Sequence, residues 1–184
     1  MPIRVSDATG WAYWSTVADA LRWAADRGAR VANASYNCAT SATVQSAAQY
    51  FQSKGGVVCV SAGNDAETVA APDNPYILAV AATDRLDAPT SWTNAGDYVD
   101  VAAPGLDILT TTRGGGAGWW WGTSFSAPTA AGVAALVISA RPDLSGAQVQ
   151  QAILSGARDL GALGRDPVFG AGLLDAGAAV ARAM

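Results

Sequence analysis

The spacing of apolar and polar positions changes several times along the chain, and the changes mark its elements. Near the N-terminus Ile3 to Val5 is a short apolar run that predicts a strand. In YWSTVADALRWAADRG, Trp14, Val17, Leu21 and Ala24 or Ala25 recur at helical spacing, and Gly28 supplies the stop. RVANAS repeats the strand pattern, TVQSAAQYFQSKGG the helix with a glycine terminator, and VVCVSAGN the strand. That β-α-β-α-β order with short connections predicts a parallel sheet with right-handed crossovers. YILAVAAT reads as a further buried strand.

From Leu86 to Trp121 the pattern breaks into short extended pieces punctuated by Pro89, Asn94-Ala95-Gly96, Pro104-Gly105 and Gly114-Gly115-Gly116, which predicts loop and hairpin. SFSAPTAAGVAALVISA is apolar or small around nearly its whole circumference, as expected of a helix enclosed by protein, with Pro128 tolerated near its start. SGAQVQQAILSGA, with Ser145 as N-cap, and AGLLDAGAAVARAM predict two closing surface helices. No internal repeat or linker divides the chain, so residues 1–184 are expected to form one α/β domain, a parallel sheet with helices on both faces.

Composition narrows the function. A chain of 184 residues with 51% hydrophobic positions can bury a real core. A net charge of −4 with no basic stripe argues against a nucleic-acid partner. No unbroken run of 18 apolar residues occurs, and MPIRVSDATG lacks a basic head before an apolar core, so neither a membrane span nor a signal peptide is expected. Without histidine or a C-x-x-C spacing, a zinc site has no ligands beyond carboxylates. Cys59, inside VVCVSA, reads as a small buried hydrophobe and Cys38 as a residue of a polar loop, with a bridge between them the lesser alternative. If Trp119-Trp120-Trp121 is extended, its outer indoles face one side and the middle one the other, so at least one is expected at the surface or in an interface, with core packing the equal alternative. GGGAG before it has no G-K-[ST] after it and reads as a flexible turn.

The chemistry lies in two short stretches. In GTSFSAPTAAG, Ser124 stands where a buried helix begins, beside unpaired N–H groups and the positive end of the helix dipole; a plain helix cap is the alternative. Asn64 follows Ala62-Gly63 at the end of an apolar strand, where a parallel sheet presents its functional edge. Its amide can donate to an oxygen that becomes negative, or it can simply be a left-handed turn residue.

Together GTSFSAPTAAG, VVCVSAGND and RVANASYN resemble the serine motif, the oxyanion-asparagine motif and the specificity-pocket strand of the subtilases, subtilisin-like serine peptidases, in the family's order and over nearly the whole chain. The resemblance is to the C-terminal two thirds of the catalytic domain, lacking its first strands. It implies peptide or activated-ester hydrolysis with Ser124 as nucleophile and with Asn64 and the Ser124 backbone N–H as oxyanion donors. It also implies that Gly10-Trp11-Ala12 is the extended segment to which a peptide adds as a strand. Trp14 and Val17 then match an apolar pocket beyond it, with core packing the equal alternative. Ser35, Tyr36 and Asn37 with Ala62 and Gly63 match the wall of the primary pocket. Tyr36-Asn37 replaces the more usual leucine-glycine, which implies a narrower and more polar pocket.

The same resemblance shows what the sequence does not contain. The family's catalytic aspartate and histidine precede the part matched, and Thr129 stands where many relatives carry a further histidine. Lys54 lies before its strand and Asn64 after it, roughly 20 Å or more apart, which excludes a Ser-Lys dyad. Asp7 and Asp65 lie nearer but are weak bases able only to orient a water. Activity is therefore expected to be weak or to need another chain, with a non-catalytic peptide-binding module that self-associates as the alternative. An unpaired strand at Ile3 to Val5 predicts a homodimer or pairing with a complementing N-terminal segment. No cofactor is expected: the family's main calcium site belongs to the unmatched part, and Asp100 only matches a position near a weaker cation site. Family members are commonly exported, an expectation for the parent protein alone.

Overall fold

A computed structural model describes all 184 residues. Eleven elements follow one another: α1 (Trp14–Asp26), β1 (Val31–Ala34), α2 (Ala42–Ser53), β2 (Val57–Ser61), β3 (Ile77–Thr83), β4 (Val101–Pro104), β5 (Ile108–Thr111), β6 (Ala117–Trp120), α3 (Thr123–Ala140), α4 (Gly146–Gly156) and α5 (Ala176–Ala183). β1 to β4 form a parallel sheet in sequence order, and β5 and β6 a separate antiparallel hairpin. The α/β class with a parallel sheet is as the periodicity predicts.

Each face of the sheet carries its own core. Val58, Val60, Ala79 and Ala81 point toward α1 and α2, where they meet Val17, Leu21, Val44 and Phe51. Val57, Cys59, Leu78 and Val80 point the other way, against Ala130, Val137, Ile153 and Ala179 of α3, α4 and α5. Alternate residues of one strand thus serve opposite faces, which is why the strands read as continuous apolar runs.

Several expectations need correction. Ile3 to Val5 forms no strand, because nothing pairs with it. Instead an apolar groove of about 450 Å³ separates this segment from the outer side of β1, with Val31, Ala32, Leu21 and Ala24 in its walls. β4, read as loop from sequence, is the fourth strand of the sheet, in register with β3 from Val80↔Val101 to Thr83↔Pro104. α3 is not enclosed all round: Ala127, Ala130, Val133 and Val137 are buried, but Pro128, Thr129, Gly132 and Ala135 are exposed and Leu136 is 53% exposed. By length and composition alone α3 is apolar enough to cross a membrane, yet its buried stripe is spent against the sheet. The final helix is shorter than predicted, since Leu173 and its neighbours pair with Arg158 and Ala102 before Asp175 caps α5. Cys38 lies in the loop between β1 and α2 but is buried there, and both cysteines are free. Burial pushes both thiols up to about 12.

Other local signals are realised as predicted. Gly28, at φ +78°, follows the end of α1, and Ser145 forms a reciprocal capping box with Gln148.

Candidate functional site

The carboxyl ends of β1 and β2 meet the N-terminus of α3, the edge of a parallel sheet where ligands bind. The link between β2 and α3 is a small hydrogen-bonded knot. Gly63 N–H donates to Thr123 Oγ1 (3.2 Å), while Thr123 Oγ1 and Thr123 N–H both donate to Asn64 Oδ1 (2.8 and 2.9 Å). A backbone N–H can only donate, so the amide oxygen of Asn64 must face Thr123 and its NH2 must face the other way.

That orientation matters because of Gly122. This N-cap residue has φ +134°, which only glycine adopts freely. A Cβ there would lie 3.4 Å from Asn64 Nδ2 and 3.7 Å from Ser124 N. The bare glycine therefore leaves one open position bordered by two N–H donors. Ser124, the second residue of α3, has no intrahelical acceptor for its N–H, and the first turn carries no acidic residue to cancel the positive end of the dipole. A small oxygen that gains negative charge fits this place on both counts.

Ser124 is half-buried, and its carbonyl accepts the Ser35 hydroxyl (2.7 Å), which in turn accepts from Asn33 Nδ2 (3.1 Å). The end of β1 is thus fastened directly to the start of α3. Beside it run Tyr36 and Asn37, half-buried and exposed, facing buried Ala62 and Gly63. Tyr98 donates its hydroxyl to the Ala62 carbonyl (2.6 Å), and burial pushes that phenol up to about 12. Trp14, 39% exposed, meets Tyr36 edge to face at 6.4 Å.

The structure changes one sequence-based placement and decides another. Gly10 is not extended: it turns at φ +91°, its N–H donating to the Asp7 carbonyl. Trp11 is tied into the same turn by both its N–H and its C=O, so of Gly10-Trp11-Ala12 only buried Ala12 lies beyond it. Val17 is 2% exposed and belongs to the core beneath α1, as the packing alternative has it. Asp100 is buried, accepting from Ala79 N–H (2.7 Å) and Arg165 Nη2 (3.3 Å).

Neither nearby carboxylate is a free base. Asp7 Oδ1 accepts from Thr9 N, Thr9 Oγ1 and Trp11 N, and the Thr9 hydroxyl above all holds its carboxyl below the usual range. Asp65 lies beside Asn94, whose Nδ2 donates to it at 3.4 Å. Lys54 caps the far end of α2 over the Tyr50 ring. Thr129 is exposed and donates back to the Phe125 carbonyl. All three indoles of Trp119-Trp120-Trp121 are exposed, Trp120 stacking on Phe125 and Trp121 meeting Trp92.

Two residues that shape the site were not singled out from sequence. Thr123 is adjacent to Ser124, and its role as the link to Asn64 is implied by a hydroxyl-bearing residue at a helix start. Asn94 has no local signal, because its Oδ1 accepts from Asp65 and Glu67 N–H across some thirty residues of chain.

Comparison with known proteins gives the family and the fold. The model of the subtilase family matches residues 1–172. Thermitase of Thermoactinomyces vulgaris is 38% identical over 144 residues, 76% of this chain and 51% of its own. Subtilisin Savinase of Lederbergia lenta is 33% identical over 180 residues, 96% of this chain and 66% of its own. Across such curated relatives the chain spans from 35% to 66% of their length. Among solved structures, a protease of Pseudoalteromonas arctica PAMC 21717 superposes with a TM-score of 0.84 at 29% identity, covering 100% of this chain and 62% of that one.

Proposed function

Because this chain belongs to the subtilase family, we propose that it carries the nucleophile and oxyanion half of a serine peptidase site acting on peptides or activated esters. Ser124 is the nucleophile, and Asn64 Nδ2 with the Ser124 N–H are the oxyanion donors. The observation that carries this reading is the open position at Gly122, 3.4 Å from one donor and 3.7 Å from the other. An oxyanion formed on attack by Ser124 gains two hydrogen bonds there that a planar carbonyl makes less well. Peptide main chain lies along residues 12–14 and the end of β1, with its side chain directed between Ser35 to Asn37 and Ala62-Gly63.

The proton acceptor is not among these 184 residues, which include no histidine. It is supplied from outside these 184 residues, or a water oriented by Asp65 takes its place and turnover is slow. No cofactor enters this chemistry. The outer edge of β1 and the groove beside it are the surface through which the chain pairs, with a second copy or with a segment of the family's N-terminal type. A monomer at tens of micromolar in solution scattering would contradict pairing with a second copy and leave only the segment.

The absence of histidine also favours a second reading, in which the same surface holds an extended peptide and no bond is cut. A fluorophosphonate probe with intact-mass detection separates the two. Covalent labelling that disappears in Ser124→Ala supports the nucleophile, no labelling of either protein supports the binding module, and equal signal in both shows that the probe reacts elsewhere and removes Ser124 as the labelled group. Asn64→Ala is expected to slow labelling by about a hundredfold, the size of effect measured for the equivalent donor of subtilisin itself and carried over.

A further inference from the structure

We propose that Asn37 makes this chain select substrates with a side-chain carboxamide, glutamine or asparagine, at the residue entering beside Ser124. The inference rests on the peptide-binding site described above. Gly63 connects the two places: its N–H bonds Thr123 next to Ser124, and a Cβ built on it would lie 2.8 Å from Asn37 Nδ2 and 2.3 Å from Asn94 Nδ2. The side-chain amide of Asn37 therefore lies against Gly63, the residue before Asn64.

The two amides differ in what they can still do. Asn94 is fully buried, its oxygen held by Asp65 and Glu67 N–H and its nitrogen directed to Asp65. Asn37 is exposed and no hydrogen bond within the chain engages its amide. It offers one donor and one acceptor in a plane, the complement of another carboxamide, with which it forms two reciprocal hydrogen bonds. A leucine side chain there leaves both groups unpaired as it expels their water. A glutamate satisfies the donor only and brings its charge toward Asp65, which accepts from Asn94 beside Gly63. Carboxamide thus outranks both the apolar and the acidic side chain.

The test is equilibrium binding of acetylated tetrapeptides with a free C-terminal carboxylate, identical except for a last residue of glutamine, leucine or glutamate, followed by calorimetry or amide chemical shifts. Glutamine is expected to bind about five-fold or more tighter than either competitor, the size of one or two neutral hydrogen bonds. In Asn37→Leu the preference inverts toward leucine, and in Asn37→Gly it disappears. Circular dichroism of both variants checks the fold. Leucine binding as well as glutamine, a glutamine preference that survives Asn37→Leu, or no binding of any peptide overturns the proposal. Fluorophosphonate labelling of the same samples keeps the two readings apart. Labelling without the preference leaves the nucleophile standing and removes the selectivity, and the preference without labelling does the reverse.

Discussion

Gly63 is in the left-handed region at φ +117°, and the space where a side chain would start is filled by the amides of Asn94 and Asn37. Two penalties therefore meet in one substitution. Gly63→Ala forces a strained backbone and drives a methyl to 2.3 Å from the nitrogen of a fully buried side chain that cannot swing away. A loss of about 1–3 kcal/mol is expected from the backbone conformation alone, with the clash added, and chemical denaturation measures it. Gly10→Ala provides the control: φ +91° imposes a similar strain, but nothing lies within 4 Å of the added carbon. A loss no larger at Gly63 than at Gly10 would show that the crowding around Asn94 and Asn37 is relieved by movement.

At the scale of the element, α4 shows how far a local signal reaches. Ser145 accepts from Gln148 N–H (3.3 Å) while Gln148 Oε1 accepts from Ser145 N–H (2.9 Å), so two donors at the helix start are satisfied reciprocally. The cap also fixes where Gly146 meets Gly56: a Cβ on Gly146 would lie 1.9 Å from the Gly56 carbonyl oxygen. Ser145→Ala is expected to cost about 1 kcal/mol, or about 2–4 °C in Tm for a chain of this size, readable by thermal melts. α3 follows the opposite rule. Its small residues suit close packing on both sides, but protein covers only one, and its composition alone cannot say which.

Across the whole molecule, Asp100 joins parts far apart in sequence. It is 1% exposed, accepts from Ala79 N–H in β3, and meets Arg165 from the loop before α5. Burial pushes its carboxyl well above the ordinary range, Ala79 N–H opposing, Asp73 adding to the rise and Arg165 resisting it. The folded chain thus holds this proton more tightly than the unfolded chain, where the group titrates near 3.8. Its contribution to stability is greatest below that pH and is lost as pH rises through the folded value. Asp100→Asn cannot titrate, so its unfolding free energy relative to the unaltered chain should move in its favour between about pH 4 and pH 8. Urea titrations at both ends check this, and a constant difference would refute it.

Much of the architecture is written locally. Helical spacing at Trp14, Val17 and Leu21, glycine at position 28, the box at Ser145 and the apolar runs around Cys59 and Leu78 each determine an element from neighbours a few residues away, and their alternation determines a parallel sheet. GTSFSAPTAAG and VVCVSAGND likewise point to Ser124 and Asn64 without any coordinates. What the tertiary structure alone decided depends on partners distant in the chain. β4 becomes a sheet strand because β3 pairs with it, and Ile3 to Val5 does not because the groove separates it from the edge of β1. One side of α3 is core because the sheet covers it. Asn64 faces Gly122 with its NH2 because Thr123 holds its oxygen across 59 residues. Periodicity records what a residue needs; only the folded chain determines which distant group meets that need.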